Sequence, residues 1–160
     1  MAKELDQDET SFWDEAFPFL EKLTRKECKF LLIGNIACKY HGLRTELSEM
    51  DLLVSSHEDD MMLLFETLHE LGWTSKDRAV KKSDAFYLSI PVQEGCIDII
   101  SQTPGLHFPE VYERAVNVKF GKLYLKVLHR DDLIRNKSLL DDPRHLDEAI
   151  ELSMLSTFDV

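Results

Sequence analysis

The chain has 160 residues, 44% of them apolar and 31% charged, and its 30 acids against 19 bases give a formal net charge of −11. This is the composition of a globular domain long enough to bury one core, and so acidic a surface argues against broad, non-specific nucleic-acid binding. It leaves room for a local basic pocket for one nucleotide, or for a basic protein partner. No apolar run of about 18 residues is present, so no membrane-spanning helix is expected. The opening MAKELDQDET lacks the basic-then-apolar order of a secretory signal, and the cytoplasm is the expected compartment. Cys28, Cys38 and Cys96 have no CxxC spacing and read as reduced thiols acting as small buried hydrophobes.

With no repeat, low-complexity tract or Gly/Ser linker, residues 1–10 read as a flexible acidic lead-in and 11–160 as one domain. Residues 11–26 carry Phe12, Trp13, Ala16, Phe17, Leu20 and Leu23 at helical spacing, with Pro18 either kinking that helix or marking its start. KFLLIG, residues 29–34, reads as a buried strand ending on glycine. NIACKYH, 35–41, follows as a short helix closed by Gly42. Glu49 to Val54 is a second strand. Ser55 and Glu58 have the spacing of a capping box, ahead of a helix with Met61, Leu64, Phe65, Leu68 and Leu71 on one face and Gly72 as its stop. Residues 85–91 and 96–101 form strands joined by QEG as a hairpin. A short helix over 109–115 has Pro109 near its start, and 122–128 alternates as a strand after Gly121. Helices over 130–140 and 143–156 close the chain. The order implies an α/β (α+β) fold, a mixed β-sheet flanked by α-helices.

Side chains two apart on a strand share a face, about 6.5–7 Å apart. Glu49 and Asp51 therefore point the same way, and Met50 points to the opposite, buried side. Asp98 stands in a second apolar strand, CIDII, where an unpaired carboxylate is costly to bury. Three such acids on neighbouring strands need a divalent cation, and hard oxygen ligands suit Mg²⁺. By spacing alone the reading as solvated acids, on a strand start and an edge strand, is the commoner one.

Gly34-Asn35, then Glu49-Met50-Asp51, then Asp98 resembles the signature of the nucleotidyltransferase superfamily. The stretches 30–55, 97–115 and 127–152 are similar to its minimal members, some related to abortive-infection toxins. The resemblance implies a nucleotidyltransferase-like fold and Mg²⁺-dependent transfer of a nucleoside monophosphate from a nucleoside triphosphate to a hydroxyl on a protein, RNA end or small molecule. It makes Glu49 and Asp51 metal ligands and Asp98 the third carboxylate, which assists the metal or activates the hydroxyl. Gly34 and Asn35 would admit the triphosphate at a helix start, and Arg44 and Lys137 would face phosphates. Lys137 is open to a second reading, as a solvated lysine on an amphipathic helix. His41 reads as a packing or turn residue, and Arg135 and Arg144 as surface charges without a role. Two positions depart from the family: Glu49 stands for the usual Asp, and Asn35 for Gly or Ser. They support an alternative, a catalytically degenerate module in a toxin–antitoxin or regulatory complex. A third reading is an interaction protein with solvated acids.

Overall fold

Phe12, Trp13, Ala16, Phe19, Leu20 and Leu23 recur at helical spacing and are all buried, which fixes the inner face of α1 (Ser11–Arg25). In this computed structural model, which describes residues 11–45, 48–73, 79–82 and 85–155, α1 neither starts nor stops at Pro18. Pro18 and Asp14 are both exposed, so the Asp14 carbonyl that loses its helical donor is open to water. The expected lead-in, residues 1–10, lies outside the described residues.

Next comes β1 (Phe30–Ile33), buried along its whole length, then α2 (Gly34–Tyr40) and β2 (Glu49–Val54). The helix α3 (Glu58–Glu70) does not use the capping box expected from Ser55 and Glu58. Its cap is His57, whose Nδ1 accepts from the Asp59 N–H at 3.3 Å. The Ser55 hydroxyl instead accepts from the His57 N–H at 3.1 Å, making a turn before the helix. Glu58, Asp59 and Asp60 crowd the first turn, where the helix dipole favours negative charge. Leu64 and Leu68 are buried as expected, whereas Phe65 is 48% exposed and makes a T-shaped contact with Phe86, ring centres 5.4 Å apart. Gly72, with φ of 72°, ends the helix.

The remaining elements are β3 (Ala79–Lys82), β4 (Ala85–Val92), β5 (Gly95–Ile100), α4 (Phe108–Arg114), β6 (Val116–Phe120), β7 (Leu123–Val127), α5 (Arg130–Leu139) and α6 (Pro143–Met154). The hairpin through QEG is present, with Gln93 and Glu94 as its turn. The strands β3 and β6 were not expected. They are the two ends of a seven-stranded sheet ordered β3-β4-β5-β2-β1-β7-β6.

The sheet is mixed: β2 runs parallel to β5 and β1 to β7, while the other neighbours are antiparallel. Register divides its two faces. Leu52, Leu32 and Val127 share one face with Ile99 and Leu88. There Trp13 of α1 packs 4.6 Å from Phe120. Asp51, Ile33, Asp98 and Ser89 share the other face, which carries α2 and the α5–α6 pair. Side chains such as Phe19, Leu20, Leu32 and Leu52 are wholly buried, each contributing about 1.5–3 kcal/mol by leaving water. Among the described residues no helix is long and apolar enough to cross a membrane.

Candidate functional site

The sheet itself assembles the acids. Parallel pairing sets Asp51 of β2 directly opposite Asp98 of β5, and Glu49 opposite Cys96. Met50, between the two β2 acids, is buried on the far side. Asp51 and Asp98 are half-buried and Glu49 is exposed. Burial pushes the Asp51 carboxyl up to about 7, and the charges of Asp98 and then Glu49 push the same way. Proximity to the Asp98 carboxyl favours a retained proton and adds a smaller upward push. Asp98 Oδ1 is buried without any hydrogen-bond partner, alone in this among the described residues. The other oxygen, Oδ2, has the Cys96 thiol at 4.0 Å, a weak donor.

Two adjoining carboxyls with one orphaned oxygen form a site short of positive charge. A proton relieves it at low pH, and a divalent cation with oxygen preference would relieve it at higher pH. The donor set therefore fits Mg²⁺, with Asp51 and Asp98 as the pair brought together. Glu49 shares their face but stays in solvent, and among the described residues no three His, Cys, Asp or Glu side chains are gathered tightly enough to hold a metal.

Gly34 lies under the Asp51 carboxyl. It has φ of 64°, and a Cβ there would come within 2.9 Å of Asp51 Cγ and closer still to Oδ2. No side chain caps α2, whose N-cap is Ile33. Asn35 is half-exposed beside Gly34, and Arg44 is exposed in the connection between α2 and β2. His41 fills the packing role expected of it, its Nε2 lying 2.8 Å from the Leu128 carbonyl.

Lys137 is not a solvated lysine. It is 2% exposed, with Nζ 3.1 Å from Glu148 Oε1 and 3.2 Å from His145 Nδ1. Its positive charge acts to lower the pKa of Asp51, and likewise that of Cys38, although burial pushes the latter up to about 11. Glu148 Oε2 lies 3.9 Å from the Cys38 thiol. Arg144 binds Asp142 (Nη2 to Oδ2 2.8 Å) and feels the charge of Glu49. Arg135 has a structural role: its Nη1 donates to the buried Asp132 at 3.2 Å. The same carboxylate takes two bonds from Arg114, at 3.1 and 2.9 Å. His145, Glu148 and Ser89, which faces Asp98 across the β4–β5 pairing, were not singled out from sequence. The His145–Glu148 spacing of three on a helix was a readable signal, whereas nothing local marks Ser89.

The arrangement joins a cation-seeking acid pair to a buried ammonium on the same face of the sheet. Neither a protein-family model nor a curated protein matches the chain.

Proposed function

We propose that this protein is a nucleotidyltransferase-like enzyme that transfers a nucleoside monophosphate from a nucleoside triphosphate to a hydroxyl. The observation that carries the reading is the register of Asp51 opposite Asp98, with Asp98 Oδ1 buried and unpartnered. In this reading Asp51 and Asp98, with Glu49 turned inward, would hold Mg²⁺, which would supply neutralisation of phosphate charge and polarisation of the α-phosphoryl group. Asp98 accepts the proton of the acceptor hydroxyl. The hydroxyl oxygen bonds to the α-phosphorus, the bond from that phosphorus to the bridging oxygen breaks, and pyrophosphate leaves. Gly34 keeps the Asp51 carboxyl seated, and Lys137 supplies fixed positive charge behind it. The test offers each of the four nucleoside triphosphates, labelled on the α-phosphate, with Mg²⁺ or Mn²⁺ and with protein, RNA and small-molecule hydroxyl acceptors. Label transfer that Asp51→Asn abolishes supports the reading. No transfer to any acceptor, together with no metal-dependent nucleotide binding, removes it.

A second reading, a catalytically degenerate module in a toxin–antitoxin or regulatory complex with a basic protein partner, is favoured by one observation. Glu49 stands in solvent, and among the described residues no third acid is gathered with the Asp51–Asp98 pair into a metal-holding group. On that reading Asp51→Ala leaves partner binding and cellular effect intact. Loss of both in a folded variant would exclude it.

A further inference from the structure

The β6–β7 hairpin turns Val118, Phe120, Leu125 and Val127 into the core. The alternate side chains, Asn117, Lys119, Tyr124 and Lys126, therefore project from the opposite face, which is the face that carries Asp51 and Asp98. Register sets Asn117 across from Lys126 and Lys119 across from Tyr124. Tyr124 is 64% exposed. Lys126 Nζ lies 5.0 Å from the centre of the Tyr112 ring of α4, and Lys29 Nζ, just before β1, lies 5.7 Å from the same ring. These groups border a hollow of about 540 Å³ that also takes in Asn117 and Tyr124.

Two ammonium groups converging on one ring repel each other, and the ring's negative face offsets only part of that. Among the described residues neither Lys29, Lys126 nor Lys119 has a carboxylate within ion-pair distance. Two acids stand nearby without pairing with these lysines: Glu27 lines the hollow, and Asp60 accepts the Lys29 backbone N–H at 3.0 Å and its charge reaches Tyr112. On a chain of net charge −11, lysines without ion pairs around an open ring form a place where an anion gains.

We propose that this strip binds single-stranded nucleic acid. Along β7, Tyr124 and Lys126 are about 6.5–7 Å apart, and Lys119 lies about 5 Å across the ladder. An open ring is thus flanked by cations at the reach of one nucleotide. One base stacks on Tyr124, Asn117 offers an amide to a base edge, and the lysines take the phosphates on either side. An acidic peptide would use the lysines but leave the exposed ring without a partner. The proposal goes beyond nucleotidyl transfer and does not need it.

The test is fluorescence anisotropy with a labelled single-stranded RNA of about a dozen nucleotides, in EDTA and without nucleoside triphosphate. Those conditions take the acid pair out of the measurement. Three phosphate contacts predict a slope of about −2 for log affinity against log salt. Lys29→Ala with Lys126→Ala should weaken binding about tenfold or more at low salt, and the two Arg replacements should restore it. Tyr124→Ala should weaken it about 5- to 150-fold while Tyr124→Phe holds it. These are surface changes, so unchanged thermal unfolding separates lost binding from lost folding. The proposal is overturned by absence of binding at low salt, or by binding indifferent to all three positions. A glutamate-rich peptide that binds through the lysines with Tyr124→Ala neutral would also overturn it, in favour of a peptide surface.

Discussion

The carboxyl of Asp51 fills the space that any side chain at residue 34 would require. Gly34 is therefore needed twice, for its positive φ and for the room above it. Gly34→Ala is expected to lower stability by about 2 kcal/mol or more, combining left-handed strain with a displaced carboxyl. Urea unfolding measures the loss. The same variant should also lose any stabilisation by Mg²⁺, because Asp51 is no longer seated beside Asp98.

The raised pKa of Asp51 has a defined sign. Burial and the neighbouring acids push the folded carboxyl up to about 7 from its ordinary 3.8, so the folded protein keeps a proton that the unfolded chain releases. Stability is full below the unfolded value, falls as pH rises through the window between the two, and levels off above it. Asp51→Asn removes that penalty. The variant is expected to exceed the parent protein by about 2–4 kcal/mol near pH 8 and to match it near pH 3.5. A parent protein as stable as the variant at pH 8 would show that the acid pair is relaxed.

A divalent cation should remove the same penalty from the other side. At alkaline pH, Mg²⁺ or Mn²⁺ at about 100 times its dissociation constant is expected to stabilise the protein by about 2.7 kcal/mol. Asp51→Asn and Asp98→Asn should each abolish the shift. Thermal unfolding with and without EDTA checks it, and an equal shift in all three proteins would place the ion elsewhere.

Lys137 acts on the pair through its charge. Replacing it with Met should raise the Asp51 titration midpoint further, visible in the carboxyl ¹³C shift against pH. The same change removes the ion pair with Glu148 at 3.1 Å, at a cost of about 1–3 kcal/mol. Stability loss without movement of the midpoint would mean that the ammonium serves only the α5–α6 packing.

Away from the site, Asp132→Asn tests how α4 is held to α5. The carboxylate is 1% exposed and takes three guanidinium hydrogen bonds. Both arginines are about half exposed and can return to water, so the expected loss is about 2 kcal/mol. A lower urea midpoint with unchanged denaturant slope would report it.

What the sequence disclosed follows how strongly burial marks each segment. FLLI and MDLLV are nearly continuous apolar runs, so β1 and β2 were legible to within a residue. The alternation through Glu49, Met50 and Asp51 also assigned their faces correctly. β3 and β6 sit at the sheet's two ends, and lysines in AVKK and VNVKF interrupt the apolar signal, as they do on many edge strands. The α3 cap is not legible in the Ser55–Glu58 spacing, because the Ser55 hydroxyl takes the His57 amide two residues on, ahead of the helix. The burial of Lys137 is not legible because α5 buries Asp132, Asn136 and Lys137 beside Leu133, a pattern that hydrophobic periodicity cannot detect. The approach of Asp51 to Asp98 depends on the register between two strands distant in the chain, which no local spacing encodes.

That register has a kinetic consequence. The helix α3 and the strands β3 and β4 intervene between β2 and β5, so the acid pair has no local precursor and forms only when a parallel, long-range pairing closes. Partly folded chains with β5 undocked keep a lone, hydrated Asp51 with an ordinary acidity. Cation affinity would then arise as a late event in folding, and its appearance would time the docking of β5 onto β2.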